Sequence, residues 1–126
     1  MAKILIVDDE PGIRGLLERL LEEQGHEVVS ADTGWKGLEL FCEAHPDLIV
    51  LDLNMPGIAG LTALGQIRRL NPDQEVIVLT GAGSPEHEEQ VRALGVAAYL
   101  DKEHSLHRVG HSVREALDMT LSSKRL

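Results

Sequence analysis

Leu48-Ile49-Val50-Leu51-Asp52 is a run of four aliphatic residues that ends on an acid. It is too short for a helix and carries no alternating polar residues, so it fits a strand buried on both faces, as in the interior of a parallel sheet. The pattern recurs along the chain. Ile4-Leu5-Ile6-Val7 meets Asp8-Asp9, Val76-Ile77-Val78-Leu79 meets Thr80, and Val96-Ala97-Ala98-Tyr99-Leu100 meets Asp101-Lys102. Val28 and Val29 mark a weaker strand between the first and the third.

The segments between these runs change to helical spacing. Ile13, Leu16, Leu17, Leu20 and Leu21 form the first stripe, opened by Pro11 and closed by Gly25. Trp35, Leu38, Phe41 and Cys42 form the second, capped by Thr33 and stopped by His45-Pro46. Leu61, Leu64, Ile67 and Leu70 form the third, before Asn71-Pro72. Ser84-Pro85 opens a fourth helix whose Glu86, Glu88 and Glu89 suit the positive helix end, and Val91 and Leu94 lead to Gly95. A fifth begins near Ser105 and carries Leu106, Val109, Val113, Ala116, Leu117 and Leu121, with Gly110 inside it.

Strand and helix in strict alternation require crossover connections, hence parallel pairing with helices on both faces. The expected fold is a flavodoxin-like, doubly wound α/β domain with a five-stranded parallel sheet in the order 2-1-3-4-5 and five helices. Residues 1–121 are expected to form this one domain, with residues 122–126 as a tail or linker stub. In such sheets ligands gather beyond the carboxyl ends of the strands, near the point where strand order reverses.

A chain of 126 residues suits one compact domain. Twelve Lys and Arg face 21 Asp and Glu, a formal net charge of -9, so the overall field repels nucleic acid and direct contact with it is not expected. With one cysteine, Cys42, no internal disulfide can form; the thiol is expected to be a small buried hydrophobe in a reducing compartment. The apolar run before Asp8 is too short for a signal peptide or a membrane span, which makes the cytoplasm the expected location.

The strand ends alone yield Asp8 and Asp9, Asp52, Thr80 and Lys102. The first and third strands are neighbours about 4.8 Å apart in the expected order, so three carboxylates crowd one small volume. Such a cluster either raises carboxylate pKa values or recruits a hard cation that keeps some of its water, namely magnesium. Asp52 is then positioned to accept a phosphoryl group, while Lys102 and Thr80 can neutralise and hydrogen-bond its oxygens. The Lys102 side chain must reach across roughly two strand spacings, about 10 Å. Taken singly, acids at strand ends commonly solvate loops or cap helices, and lone lysines and threonines are ordinary surface and strand residues. Their meeting on one edge of an independently inferred sheet favours the functional reading.

From Lys3 to Leu121 the sequence resembles the receiver domain of bacterial response regulators. Ile4-Leu5-Ile6-Val7-Asp8-Asp9-Glu10 is similar to that family's first strand and acidic pair. Asp47-Leu48-Ile49-Val50-Leu51-Asp52-Leu53-Asn54-Met55-Pro56-Gly57 is similar to its phosphoacceptor segment, and Thr80, Tyr99 and Lys102 complete the set. The resemblance implies that Asp9, Asp52 and the Asn54 carbonyl bind Mg2+ directly, that Asp8 assists through water, and that Asp52 is the nucleophile. It further implies that Lys102, Thr80 and backbone N–H groups near Asn54 and Gly81 contact the phosphoryl group, and that Tyr99 turns inward as Thr80 moves. Without the family, Tyr99 is a strand residue packing on the fifth helix. Glu103 stands where the family usually has proline; a cis peptide there costs about 2.5–4 kcal/mol, so the bond is trans or held by local contacts. Gly81-Ala82-Gly83 is expected to be mobile and to become ordered on phosphorylation.

The implied function is a switch that takes phosphate from a histidine kinase or histidine phosphotransfer protein onto Asp52. It would present a changed surface on the fourth helix, fifth strand and fifth helix to a protein target or output domain, a face also open to a phosphorylation-dependent dimer. It would catalyse only its own modification. One alternative is a phosphorylation-independent interaction module; another is a magnesium phosphohydrolase, against which Asn54 stands where a second aspartate would be needed. His104, His107 and His111 share helical spacing, but a solvated or partner-facing edge explains them better than a metal site. Trp35 is expected to pack between helices.

Overall fold

The computed structural model of the chain describes residues 2–54, 60–81, 85–102 and 105–125. Residues 55–57 of the phosphoacceptor-like segment, the loop 82–84 with the Ser84 cap, Glu103, His104, and the Glu86 and Leu121 side chains lie outside the described residues.

Five strands, β1 (Lys3–Val7), β2 (Glu27–Ala31), β3 (Leu48–Asp52), β4 (Glu75–Thr80) and β5 (Ala98–Asp101), alternate with α1 (Pro11–Glu23), α2 (Gly34–Ala44), α3 (Gly60–Leu70), α4 (Pro85–Ala93) and α5 (Val109–Arg125). All pairings are parallel and the order is β2-β1-β3-β4-β5, as the alternation of elements predicts.

The two faces of the sheet divide the aliphatic runs with the period of two that strand geometry imposes. Leu5, Val7, Ile49, Leu51, Val76 and Val78 bury themselves with Phe41, Leu64, Ile67 and Val91 of α2, α3 and α4. Ile4, Ile6, Leu48, Val50, Ile77, Leu79 and Leu100 bury themselves with Leu17 and Leu21 of α1 and Val109, Val113 and Ala116 of α5. Covering both faces accounts for the unbroken apolar runs in β1, β3 and β4.

Several helix stripes sit differently from the expectation. Trp35 is 67% exposed and Cys42 is exposed, so neither is a packing residue; α2 instead buries Gly34, Gly37 and Phe41. A Cβ at Gly37 would stand 2.8 Å from a Val7 methyl, showing how closely α2 approaches β1. Leu16 and Leu70 are likewise exposed, at 47% and 60%. The fifth strand starts at Ala98 rather than Val96. The last helix is preceded by a 3-10 turn over Leu106–Arg108, so α5 proper starts at Val109.

Helix ends follow local chemistry. Thr33 Oγ1 accepts from the Lys36 N–H at 3.1 Å and starts α2, which stops at His45 in the left-handed conformation (φ 49°). Pro11 opens α1, but Glu10 at the cap position makes no side-chain cap bond. Arg68 near the end of α3 donates to the carbonyls of Asn71, Pro72, Gln74, Leu94 and Gly95, tying the segment before β4 to the segment before β5.

Candidate functional site

Strand register decides what meets at the carboxyl edge. Val7 pairs with Leu51, Asp52 with Leu79, and Thr80 with Asp101. The residues that leave β1, β3, β4 and β5 therefore emerge side by side. The Lys102 N–H donates to the Thr80 carbonyl at 2.9 Å, which starts the lysine from a fixed point one residue beyond β5.

Asp8 and Asp52 are both buried, at 1% exposure each. One oxygen of each is held by its own backbone: Asp8 Oδ1 accepts from the Glu10 N–H and Asp52 Oδ1 from the Asn54 N–H, both at 2.9 Å. These short loops aim the other oxygens at a shared space. Lys102 fills it, its side chain only 8% exposed, with Nζ 2.9 Å from Asp52 Oδ2, 3.0 Å from Asp8 Oδ2 and 2.8 Å from Glu10 Oε1. The long reach expected of this side chain is thus made.

Electrostatics follow from that crowding. Burial pushes the Asp52 carboxyl above its ordinary value, and the neighbouring Asp8 charge adds to the rise; hydrogen bonds from Asn54 and Lys102 offset part of it. Burial by itself would lower the Lys102 ammonium, but its bonds to Glu10, Asp52 and Asp8 outweigh that and raise it, so it stays charged at any physiological pH.

Asp8, Asp9, Glu10 and Asp52 can each present one carboxylate oxygen such that all four lie within 4.8 Å of one another. Four hard oxygen donors with no sulfur or imidazole suit Mg2+ rather than a softer metal. Lys102 Nζ bonds three of the same carboxylates, so an ammonium and a divalent cation draw on one set of oxygens.

Thr80, 2% exposed, accepts at Oγ1 from Asn54 Nδ2 at 2.7 Å, which joins the end of β4 to the loop after Asp52. Gly81 follows; a Cβ built on it would lie 3.9 Å from the Lys102 side chain, so its backbone borders the same space. Asp8, Asp9, Asp52, Asn54, Thr80, Gly81 and Lys102 are therefore brought together.

Tyr99 is placed otherwise. It packs with the α2–α4 side of the core rather than on α5, and its hydroxyl lies 3.0 Å from His87 Nδ1 on α4. His107 and His111 are exposed, and His111 Nε2 pairs with Glu115 Oε2 of the next turn at 3.0 Å.

Two contributors were not identified in the sequence. Glu10 follows the acidic pair directly, and that adjacency was the available signal. Arg14 donates from Nη1 to the Asp8 carbonyl at 2.8 Å, bracing the β1–α1 loop, and no pattern in the sequence marks it.

Comparison with known proteins agrees with this geometry. The family model described as response regulator receiver domain matches residues 4–114. Sporulation initiation phosphotransferase F of Bacillus subtilis is 29% identical over 117 residues, covering 93% of this chain and 94% of that protein. Other curated relatives are longer, the chain spanning 27% of one and 56% of another. Among solved structures, a CheY-like response regulator receiver domain protein from Methanospirillum hungatei superposes with a TM-score of 0.92 at 28% identity, covering 98% of each chain. The response regulator protein TrrA from Thermotoga maritima, solved in complex with Mg(2+)-BeF, has a TM-score of 0.81 at 34% identity, covering 92% of this chain and 99% of that one.

Proposed function

This chain belongs to the response regulator receiver domain family, and from that premise we propose that it is a phosphorylation switch of a two-component phosphorelay with Asp52 as phosphoacceptor. The observation that carries the reading is the buried Asp52 carboxylate at the end of the central strand, with Lys102 Nζ at 2.9 Å and Asp8 facing it across the same ammonium.

In the proposed step an Asp52 oxygen attacks the phosphorus of a phosphohistidine on a histidine kinase or phosphotransfer protein. A P–O bond to the carboxylate forms as the P–N bond breaks, and the imidazole leaves as a neutral ring, keeping the P–N electron pair on the departing nitrogen while its other nitrogen already carries a proton. Lys102 balances negative charge on the transferred group, the Thr80 hydroxyl donates to one of its oxygens, and the N–H groups near Asn54 and Gly81 serve others. The Thr80 oxygen accepts from Asn54 Nδ2, so its own proton remains to be given, and Thr80 would turn toward the phosphoryl group with Tyr99 following inward. Asp8, Asp9, Asp52 and the Asn54 carbonyl would hold Mg2+, with Glu10 within the same donor group. When bound, the ion neutralises the carboxylate cluster and the phosphoryl oxygens.

Burial of Asp52 helps in a further way. A carboxylate shielded from bulk water is a stronger nucleophile, and the acyl phosphate it forms is shielded from hydrolysis. As a receiver the domain is a signalling switch rather than a turnover enzyme. Its output in this proposal is a rearranged α4–β5–α5 surface offered to a protein target, an output domain or a second copy. Among the described residues no helix is long and apolar enough to cross a membrane; a cytoplasmic site of action belongs to the same proposal.

Transfer from a radiolabelled phosphohistidine protein tests the assignment. Label should move to wild type in the presence of Mg2+ and not to Asp52→Asn. Equal labelling of the two would remove Asp52 from the mechanism.

A further inference from the structure

The two side chains proposed to move together are each tied down in this structure, by different partners. Thr80 is held by Asn54. Tyr99 is held by His87, whose Nδ1 lies 3.0 Å from the phenol oxygen and whose ring meets the tyrosine edge-on, with centroids 6.2 Å apart and planes at 67°. Both rings are half-buried.

His87 sits in the first turn of α4, seven positions after Thr80, at the far end of the segment that leaves β4. Tyr99 lies on β5, opposite Val78 in the β4–β5 register. Their bond therefore joins the start of α4 to the edge strand, across the segment whose other end is Thr80. Burial raises the Tyr99 hydroxyl above its ordinary value, and the Glu88 and Asp101 charges add to this against Arg92. The hydroxyl thus keeps its proton near neutral pH, and the bond to His87 Nδ1 can form with either imidazole tautomer.

We propose that His87 is the positioning residue that holds Tyr99 against α4 in the unphosphorylated domain, and so sets how readily the domain converts on phosphorylation. The inference rests on the phosphoacceptor reading of Asp52 and deepens it. Any movement of Tyr99 away from α4 must break the hydroxyl–imidazole bond and the edge contact. Those interactions favour only one of the two states, and a shift in a two-state equilibrium equals that difference. Among the described residues His87 meets Tyr99 and none of the groups proposed to react, so it acts through Tyr99.

Beryllofluoride with Mg2+ is the probe, its saturation followed by backbone amide NMR shifts of the Thr80–Gly81 segment. His87→Phe keeps an aromatic ring but loses the ring nitrogen, Tyr99→Phe loses the hydroxyl, and His87→Gln keeps a polar side chain able to accept or donate. Losing one net hydrogen bond predicts that His87→Phe and Tyr99→Phe each lower the half-saturating beryllofluoride concentration by roughly threefold to tenfold. The double variant should gain no more than either single one, and His87→Gln should stay near wild type. Mg2+ affinity measured without beryllofluoride should be the same in wild type and all four variants. Half-saturation unmoved by His87→Phe, or single effects that add in the double variant, would overturn the role of His87 while leaving Asp52 as acceptor. Failure of wild type itself to bind beryllofluoride would remove the phosphoacceptor reading, and the His87 role with it.

Discussion

Replacing Lys102 with methionine removes the cation at the centre of the acidic cluster while keeping most of the side-chain volume. Among the described residues Asp8 and Asp52 then stand buried with no positive partner, and only Glu10, 57% exposed, can be relieved by water. Breaking a buried ion pair from one side costs about 3–5 kcal/mol. The lower end applies here, because Glu10 is solvated and burial already raises the Asp52 carboxyl above its ordinary value. For a domain of this size each kcal/mol moves the melting temperature by about 3–5 °C. Lys102→Met should therefore melt about 10 °C below wild type in metal-free buffer near neutral pH, by calorimetry or circular dichroism. Two conditions should shrink the gap. Mg2+ should raise the variant's Tm more than that of wild type, since it replaces the lost charge and no longer shares oxygens with an ammonium. Acid should also help: the folded-state pKa of Asp52 is raised, and further so without lysine, so folding takes up a proton and the penalty is relieved as pH falls toward 3.8. A variant that melts within about 2 °C of wild type would refute the reasoning, as would a deficit indifferent to both Mg2+ and pH.

Three further outcomes follow from the structure. Asp52→Asn should stabilise the metal-free protein in urea titrations at pH values above the raised folded-state pKa of Asp52, with the advantage lost as pH falls through that pKa to below 3.8, because the raised pKa marks an ionised form that folding disfavours. Arg68→Met should cost about 2–3 kcal/mol of unfolding free energy in urea titrations, since five carbonyls on two loops lose one planar donor, and Arg68→Lys should recover little of it because an ammonium cannot span them. Gly60→Ala and Gly65→Ala should differ in sign: a Cβ at Gly60 would collide with the Leu53 backbone and should lower Tm, whereas Gly65 has nothing within 4 Å and should gain about 0.5–1 kcal/mol as alanine in a helix.

The sheet was legible because a strand covered on both faces must be apolar throughout, and β1, β3 and β4 announce themselves as unbroken aliphatic runs. β5 was read two residues early because Val96 and Ala97 continue the apolar run into the segment that Arg68 holds as a loop. Helix faces were legible only in part. A 3.6-residue period finds a stripe but assigns its centre by large side chains, whereas α2 and α3 turn small residues, Gly34, Gly37, Gly60 and Ala63, toward the sheet. Trp35 and Cys42 of α2 and Leu70 of α3 were left on the outside as a result, while α1 buries Leu17 and Leu21 and leaves Leu16 out. The cluster at the carboxyl edge was legible because its members end strands, so topology alone brings them together. Glu10 and His87 escaped notice for the opposite reason. Each matters through a side chain that meets its partner across elements, Lys102 in one case and Tyr99 in the other, and no local spacing encodes such a meeting.

The central claim is that Asp52 is a nucleophile poised within a cation-binding carboxylate cluster. Intact-mass spectrometry of the whole chain after treatment with a small acyl phosphate, with and without Mg2+, tests it most directly. Wild type should gain the mass of one phosphoryl group only when Mg2+ is present, and Asp52→Asn should gain none in either condition. A phosphoryl group acquired equally by Asp52→Asn, or by wild type regardless of the metal, would contradict the account.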